Sequence, residues 1–527
     1  MTKSFPVFRA GERRDWLLLT VASLLGTIPV WLPTFPPMAD LPQHASQIVL
    51  LGELLHGNPQ YEALFRINWF TPYLLGYLLV YSLVPWLGIV GACKMVVSLA
   101  LVALPLATAF VMRETGADRR WALLVIPAMY GFSYQWGFLN FVVAAPLGLA
   151  FTGLVLGHAR RPTRGGAIAI GVLINALFFC HAMVCAFFGG VAGCILLISA
   201  ERKVSAWVRS VLPLASVLPI MLVWGTLTLE NPIANRPVLW DLNWLTTLDG
   251  YYARLAAWTT RGGSGWGRIA GFFPRLLGVR PGVLATLFGL ALFVVPIAAG
   301  ARFSRRPVVW VPFTLCIVVL LFVPGILFGT DFTFQRFTVF ALPLYLVLLE
   351  RPPDKEWPRW TWPVCGLLAA AWIAVVSANV LAYERDAAGF DEVLARMEPR
   401  ERALSFAYER DSAGTIAPPF LHFPSWYSAL KHGIVDPNIA GTHVQLVLYR
   451  AQQMPRARLW GFEWNPRTFN WQSYAGGQYR YFVARAPGDL SSNMFRKASC
   501  EIRLVHHVNR WWLYEKDPAC TLDPFAP

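Results

Sequence analysis

Charge is scarce in this 527-residue chain, where only 14% of the residues are Asp, Glu, Lys or Arg against about 25% in soluble domains. A deficit of that size excludes an ordinary soluble protein. Cysteine is also rare, 8 in all, and no Cys/His spacing follows a zinc-site pattern. What is abundant is apolar: 56% of the chain is hydrophobic, with 23 Trp, 17 Tyr and 35 Phe, and the mean hydropathy is +0.47. That much burial potential excludes disorder and defines a polytopic α-helical membrane protein.

The net charge of +15 imitates a nucleic-acid binder until the charges are placed along the chain. From Glu384 onward there are 17 basic and 15 acidic residues, which leaves 28 and 15 before it. The excess sits in short runs between apolar stretches: Arg113/Arg119/Arg120, Arg160/Arg161/Arg164, Arg202/Lys203/Arg209, Arg302/Arg305/Arg306 and Arg351/Lys355/Arg359. Runs of this kind at alternate loops orient helices in a bilayer, so no nucleic-acid partner is expected.

A hydrocarbon core about 30 Å thick needs roughly 20 apolar residues per helix. The pattern predicts about eleven spans, at 16–34, 89–112, 121–136, 138–157, 166–181, 183–200, 206–228, 283–300, 307–328, 338–350 and 361–382. Lys3, Arg9, Arg13 and Arg14 put the N-terminus in the cytoplasm, and an odd number of spans puts residues 384–527 on the opposite side. The apolar stretch 70–87 competes as a further span, but that choice would invert every later basic loop. With Pro72 and Pro85 inside it and Trp69, Tyr73, Tyr77, Tyr81 and Trp86 along it, it reads as an interfacial or re-entrant helix.

The chain therefore divides into a membrane module, 1–383, with outer loops 35–88 and 229–282, and a small α/β domain, 384–527. Strand-like stretches Tyr479 to Ala484 and Glu501 to Glu515 beside the helical pattern Phe390 to Met397 support the second unit. Cys500 and Cys520 are its two cysteines, and on an oxidising face they either pair or stay free.

Asp40 follows the first span and opens an amphipathic stretch running to His56. A carboxylate at a membrane boundary is expensive and so functional by default, although Asp40 also suits the N-cap of a helix starting at Leu41 with Pro42 in its first turn. His44 lies four residues on, on the same helical face; it is either a partner of the carboxylate or a polar surface residue.

A short tail, one span, and an outer loop that opens with an acid and enters an amphipathic helix resemble the GT-C superfamily of membrane glycosyltransferases. The resemblance continues through the Gly57-Asn58-Pro59 turn, the Pro72 to Gly88 segment, the helix pair around Arg113 to Arg120 and the terminal soluble domain. It extends to the aminoarabinose transferase, protein O-mannosyltransferase and oligosaccharyltransferase architectures. It implies transfer of sugar from a polyprenyl-phosphate donor to a glycan, lipid or protein acceptor on the periplasmic side of a bacterial inner membrane. Asp40 is the residue matching the catalytic base. A second acid is expected in the next outer loop, yet Tyr134, Gln135, Trp136, Gly137, Phe138, Leu139 and Asn140 contain none. One carboxylate and an amide make a poor divalent-metal cage, so metal dependence is possible but not favoured, and no cofactor is assigned.

The implied reaction is a single inverting displacement at the anomeric carbon. The leaving phosphate needs a cation that bonds two oxygens while partly dehydrated, a task suited to Arg. Arg336, in a short outer loop after Asp331 and Gln335, is the first choice and Arg66 the second; the alternative for Arg336 is a side chain snorkelling to headgroups. Gln43, Glu53, Tyr134, Gln135, Asn140, His181, Asp331 and Gln335 are the expected cavity residues. Glu53 doubles as a solvating charge and His181 as a buried neutral imidazole. In the 229–282 loop, Trp240, Trp244, Tyr251, Tyr252 and Trp258 suit an interfacial belt or sugar stacking.

Two other classes compete. A transporter would carry ionisable residues deep in its spans, or inverted repeats with broken helices, and neither is evident. A non-catalytic scaffold or glycan-binding assembly protein with the same fold would suit the missing second acid and the domain's Trp460, Trp464, Trp471, Trp511 and Trp512.

Overall fold

The computed structural model describes residues 10–229, 265–323, 325–327, 330–352, 356–459 and 461–520. Lys3, Arg9, Lys355, Trp460 and the aromatic residues Trp240 to Trp258 lie outside the described residues.

Apolar runs become helices where length and composition favour them. Five helices among the described residues are long and apolar enough to cross a membrane: Leu74–Thr115, Leu139–Arg160, Ala182–Ser199, Val204–Leu227 and Thr361–Arg396. Four shorter apolar helices, Arg164–Cys180, Val283–Ala298, Pro307–Phe322 and Thr338–Val347, fall within or close to expected spans. The stretch 16–34 divides into Ala10–Leu25 and Ile28–Trp31 around Thr27, with Pro29 in the first turn of the second piece.

The stretch 121–136 departs from expectation. Instead of one α-helix it forms a 3₁₀ run, Arg119–Tyr130, followed by the short helix Phe132–Gln135. Pro127 removes a backbone donor within the run, and most of its side chains are buried among the surrounding helices. At about 2.0 Å per residue, twelve residues wound this way cover roughly 24 Å, more than an α-helix of the same length.

The stretch 70–87 is helical from Leu74, and the chain breaks direction at Gly88 (φ +65°, ψ 170°) before continuing to Thr115. That conformation is open only to glycine. Trp86 is 82% exposed, but Tyr77 is fully buried and Tyr73 turns into a cavity.

The C-terminal region is built on a five-stranded sheet. With β1 as Phe65–Ile67, and apart from four two-residue strands between 302 and 350, the later strands are β2 (Arg402–Ala407), β3 (Ile434–Asp436), β4 (Val447–Tyr449), β5 (Tyr481–Arg485), β6 (Ile502–Val508) and β7 (Trp511–Lys516). The sheet order is β6-β7-β5-β2-β3, with antiparallel β6/β7 and β7/β5 and parallel β5/β2 and β2/β3. Under it, fully buried Asp436 accepts from Arg402, Tyr449 and Tyr479 at 3.1, 2.8 and 3.1 Å. Cys500 and Cys520 are disulfide-bonded.

This region is stitched into the first outer loop. Strand β1 pairs antiparallel with β4, Arg66 opposite Leu448. Phe35 stacks on Trp426 at 4.8 Å and meets Phe390 and Phe423 edge-on. On the helix Leu41–Leu55, the Gln43 side chain donates to Pro437 O (2.6 Å) and accepts from Ile439 N (3.1 Å). Gln47, one turn on, brackets Val447 in the same way at 3.1 and 2.8 Å. Each glutamine mimics a strand neighbour for backbone that would otherwise be buried without partners.

Candidate functional site

The short helix Phe132–Gln135 and the turn after it form a cradle for the first acid. Ala39 N donates to Gln135 O at 3.1 Å and Asp40 N to Trp136 O at 2.9 Å. Between them Gly137 sits at φ +76°, and a Cβ there would lie 2.7 Å from Leu41 N and 2.8 Å from Asp40 N. The outer loop that lacks a second acid thus holds the first one in place.

Asp40 stands at the N-cap position of Leu41–Leu55, but its side chain makes no capping bond. It turns to His422, whose Nδ1 donates to Asp40 Oδ1 at 2.9 Å and whose Nε2 donates to Glu463 Oε2 at 2.8 Å. Burial alone would depress the imidazole. The bonds to Asp40 and Glu463 and the charge of both carboxylates outweigh it and raise the group to about 10, so His422 is an imidazolium at neutral pH.

His44 is its opposite. Tyr77 gives its hydroxyl proton to Gln445 Oε1 at 2.6 Å, so at the 2.7 Å contact with His44 Nδ1 the ring nitrogen is the donor. That fixes the tautomer and leaves Nε2 with its lone pair. Burial, aided by the cations Arg336 and His422 and opposed by Asp40, lowers His44 to about 4.

Asp40, His44, Asn140, His181, Asp331 and Arg336 line one cavity of about 360 Å³, and His422, Glu463 and Trp464 complete its wall from the C-terminal region. Arg336 is 8% exposed; one Nη donates to Asp331 O at 3.0 Å, its plane lies 3.6 Å from the Phe138 ring centre, and its Nε makes no hydrogen bond. A buried guanidinium with an unused donor is prepared for an oxyanion. Burial raises the Asp331 carboxyl above its ordinary value, with Arg336 opposing and Glu463 adding to the rise.

The remaining sequence candidates lie elsewhere. Gln43 holds the backbone of 437–439, as described above. Glu53 is bonded by Asn58 and His432 at 2.6 Å each, and Arg400 lies 3.4 Å away. Burial opposes this arrangement, but those partners hold the carboxyl below its ordinary value. Arg66 is exposed on β1. Tyr134 packs on Tyr130 at 4.8 Å and lines a separate small void. Gln135 contributes its backbone carbonyl to the cradle, and Gln335 accepts from Thr338 through its own.

Sequence reasoning missed His422, Glu463, Tyr73, Tyr77 and Gln445. His422 lies 382 positions from the acid it bonds, and no local pattern links the two. Among the described residues no group of three or more His, Cys, Asp or Glu side chains is arranged to hold a metal ion. Compared with protein-family models and with curated proteins, the chain matches none.

Proposed function

We propose that this protein is an integral-membrane glycosyltransferase that moves a sugar from a polyprenyl-phosphate donor to a glycan, lipid or protein acceptor. In this reading the chain crosses a bacterial inner membrane eleven times, with its N-terminus in the cytoplasm and residues 384–527 in the periplasm. The observation that carries it is the shared cavity of Asp40 and Arg336, an acid and a half-satisfied guanidinium where long apolar helices meet a polar domain.

The acceptor hydroxyl oxygen attacks the anomeric carbon, and its proton passes to Asp40. The carbon–oxygen bond to the lipid phosphate breaks with its electron pair on the phosphate, where Arg336 meets the charge. Attack and departure on opposite faces invert the configuration. The His422 imidazolium holds Asp40 in position, and neutral His44 is a second acceptor for the same proton. General-base catalysis of this kind contributes about 10²–10⁴ in rate.

The test uses the full chain in proteoliposomes with a panel of polyprenyl-phosphate sugars, radiolabelled in the phosphate, and a cell-envelope extract of glycans, lipids and proteins as acceptor, reading release of polyprenyl phosphate. Asp40→Asn is expected to lower release about a hundredfold or more while donor binding persists. Release by the variant at the parent rate, or none by the parent with any donor, would overturn the proposal.

A further inference from the structure

Across Trp464 from the reaction cavity lies a second, larger one of about 870 Å³ in the C-terminal region; the tryptophan lines both. Arg385, Arg410, Arg467, Arg485 and Arg510 face it, against the carboxylates of Asp386, Glu409 and Asp411. Those acids do not cancel the arginines one for one. Glu409 pairs with Arg510 at 3.5 Å, and Asp386 accepts from Ser412 at 2.7 Å. Arg385 and Arg467 are exposed and form no ion pair among the described residues.

Arg485 supplies the observation that points to a ligand. It is 5% exposed, donates to the carbonyls of Glu409 and Asp386 through its two Nη atoms, and leaves a buried Nε without a partner. Arg410 lies over the Trp464 ring at 4.7 Å and donates to its carbonyl at 3.1 Å, fixing the indole between the two cavities. An aromatic face next to a fork of guanidinium groups suits a sugar ring that carries an anion. The volume lies within the range of pockets that enclose small ligands, about 300–1,000 Å³.

We propose that this cleft binds an acidic saccharide, with its carboxylate or phosphate on the arginines and a ring on Trp464. The chain's next residue then points past Trp464 into the reaction cavity, which makes it the acceptor. The acceptor role rests on the transferase reading; the binding site does not.

Binding is measured calorimetrically on the full chain in nanodiscs, with trigalacturonate, a hexose phosphate and neutral maltotriose as probes. At least one anionic probe is expected to bind, more weakly as salt rises, and maltotriose not to bind. Trigalacturonate alone identifies a carboxylate ligand and the hexose phosphate alone a phosphate. The double variant Arg385→Gln/Arg467→Gln should weaken that binding roughly tenfold or more, with its thermal midpoint showing that it folds. Arg503→Gln, exposed on β6 and outside the cleft, should bind as the parent does. Equal binding of maltotriose, parent-like binding by the double variant, or binding of none of the probes would overturn the site. Absence of donor turnover by the parent, with probe binding intact, would instead overturn the transferase reading and leave the binding site standing.

Discussion

Two histidines on one cavity are held in opposite charge states, and each leaves a signature in stability. His422 is raised to about 10 from 6.5. Below 6.5 its contribution is complete. Between 6.5 and 10 the folded chain keeps a proton that the unfolded chain has released, so this stability is withdrawn as pH climbs. His44 is lowered from 6.5 to about 4. In that window the unfolded chain takes up a proton that the folded one refuses, so stability falls as pH drops. The thermal midpoint of the purified protein is expected to be highest near pH 6.5. His422→Gln should flatten the alkaline limb and His44→Gln the acid limb; an alkaline limb equally steep in His422→Gln would refute the bridged imidazolium. At this scale the sequence reveals cost but not company. Asp40 and Arg336 stand out because an ionic group beside apolar helices is expensive. Their partners His422 and Glu463 sit in a charge-balanced region where neither is unusual.

The element that determines Asp40's position is the turn Trp136-Gly137-Phe138. Gly137 combines a left-handed backbone with two amide nitrogens inside 3 Å of where a Cβ would sit. Gly137→Ala meets a conformational penalty of about 1–2 kcal/mol and must also push Asp40 and Leu41 away. Misplacing a catalytic group by about 1 Å costs roughly a hundredfold in rate, so donor turnover should fall far more than the thermal midpoint. A variant that unfolds before it slows would show the turn to be structural only. Apolar run length placed a helix in most of the eleven expected stretches, and among the described residues five helices are long and apolar enough to cross a membrane. It failed at Arg119–Tyr130, where the apolar run suits a span but Pro127 lies inside it and the chain winds as a 3₁₀ run. It also sent Tyr73 and Tyr77 to the bilayer surface, since an aromatic residue suits an interface and a polar cavity equally well from sequence.

For the molecule as a whole, the outer loop and the C-terminal region form one site only while they remain docked, and two glutamines carry much of that docking. The compositional boundary at 383/384 falls inside the helix Thr361–Ala387, and composition cannot reveal that an amide side chain on a helix will serve as a strand partner 400 positions away. Gln47→Leu keeps the volume and strips both bonds from Val447, leaving a buried N–H and C=O each unsatisfied at about 1–3 kcal/mol. Strand β4 then loses one of its two neighbours and keeps only β1. Hydrogen exchange should accelerate across 437–449 in this variant and stay unchanged in β3, β5 and β7, whose pairing lies within the sheet. Because Gln445 lies in the same segment and sets the proton on Tyr77, the His44 tautomer should loosen with it. The imidazole nitrogen resonances of His44 would then report a mixture where the parent shows a single Nδ1–H form. Unchanged exchange at Val447, or a single tautomer persisting in Gln47→Leu, would mean that the aromatic packing of Phe35 on Trp426 holds the two parts together without the glutamines.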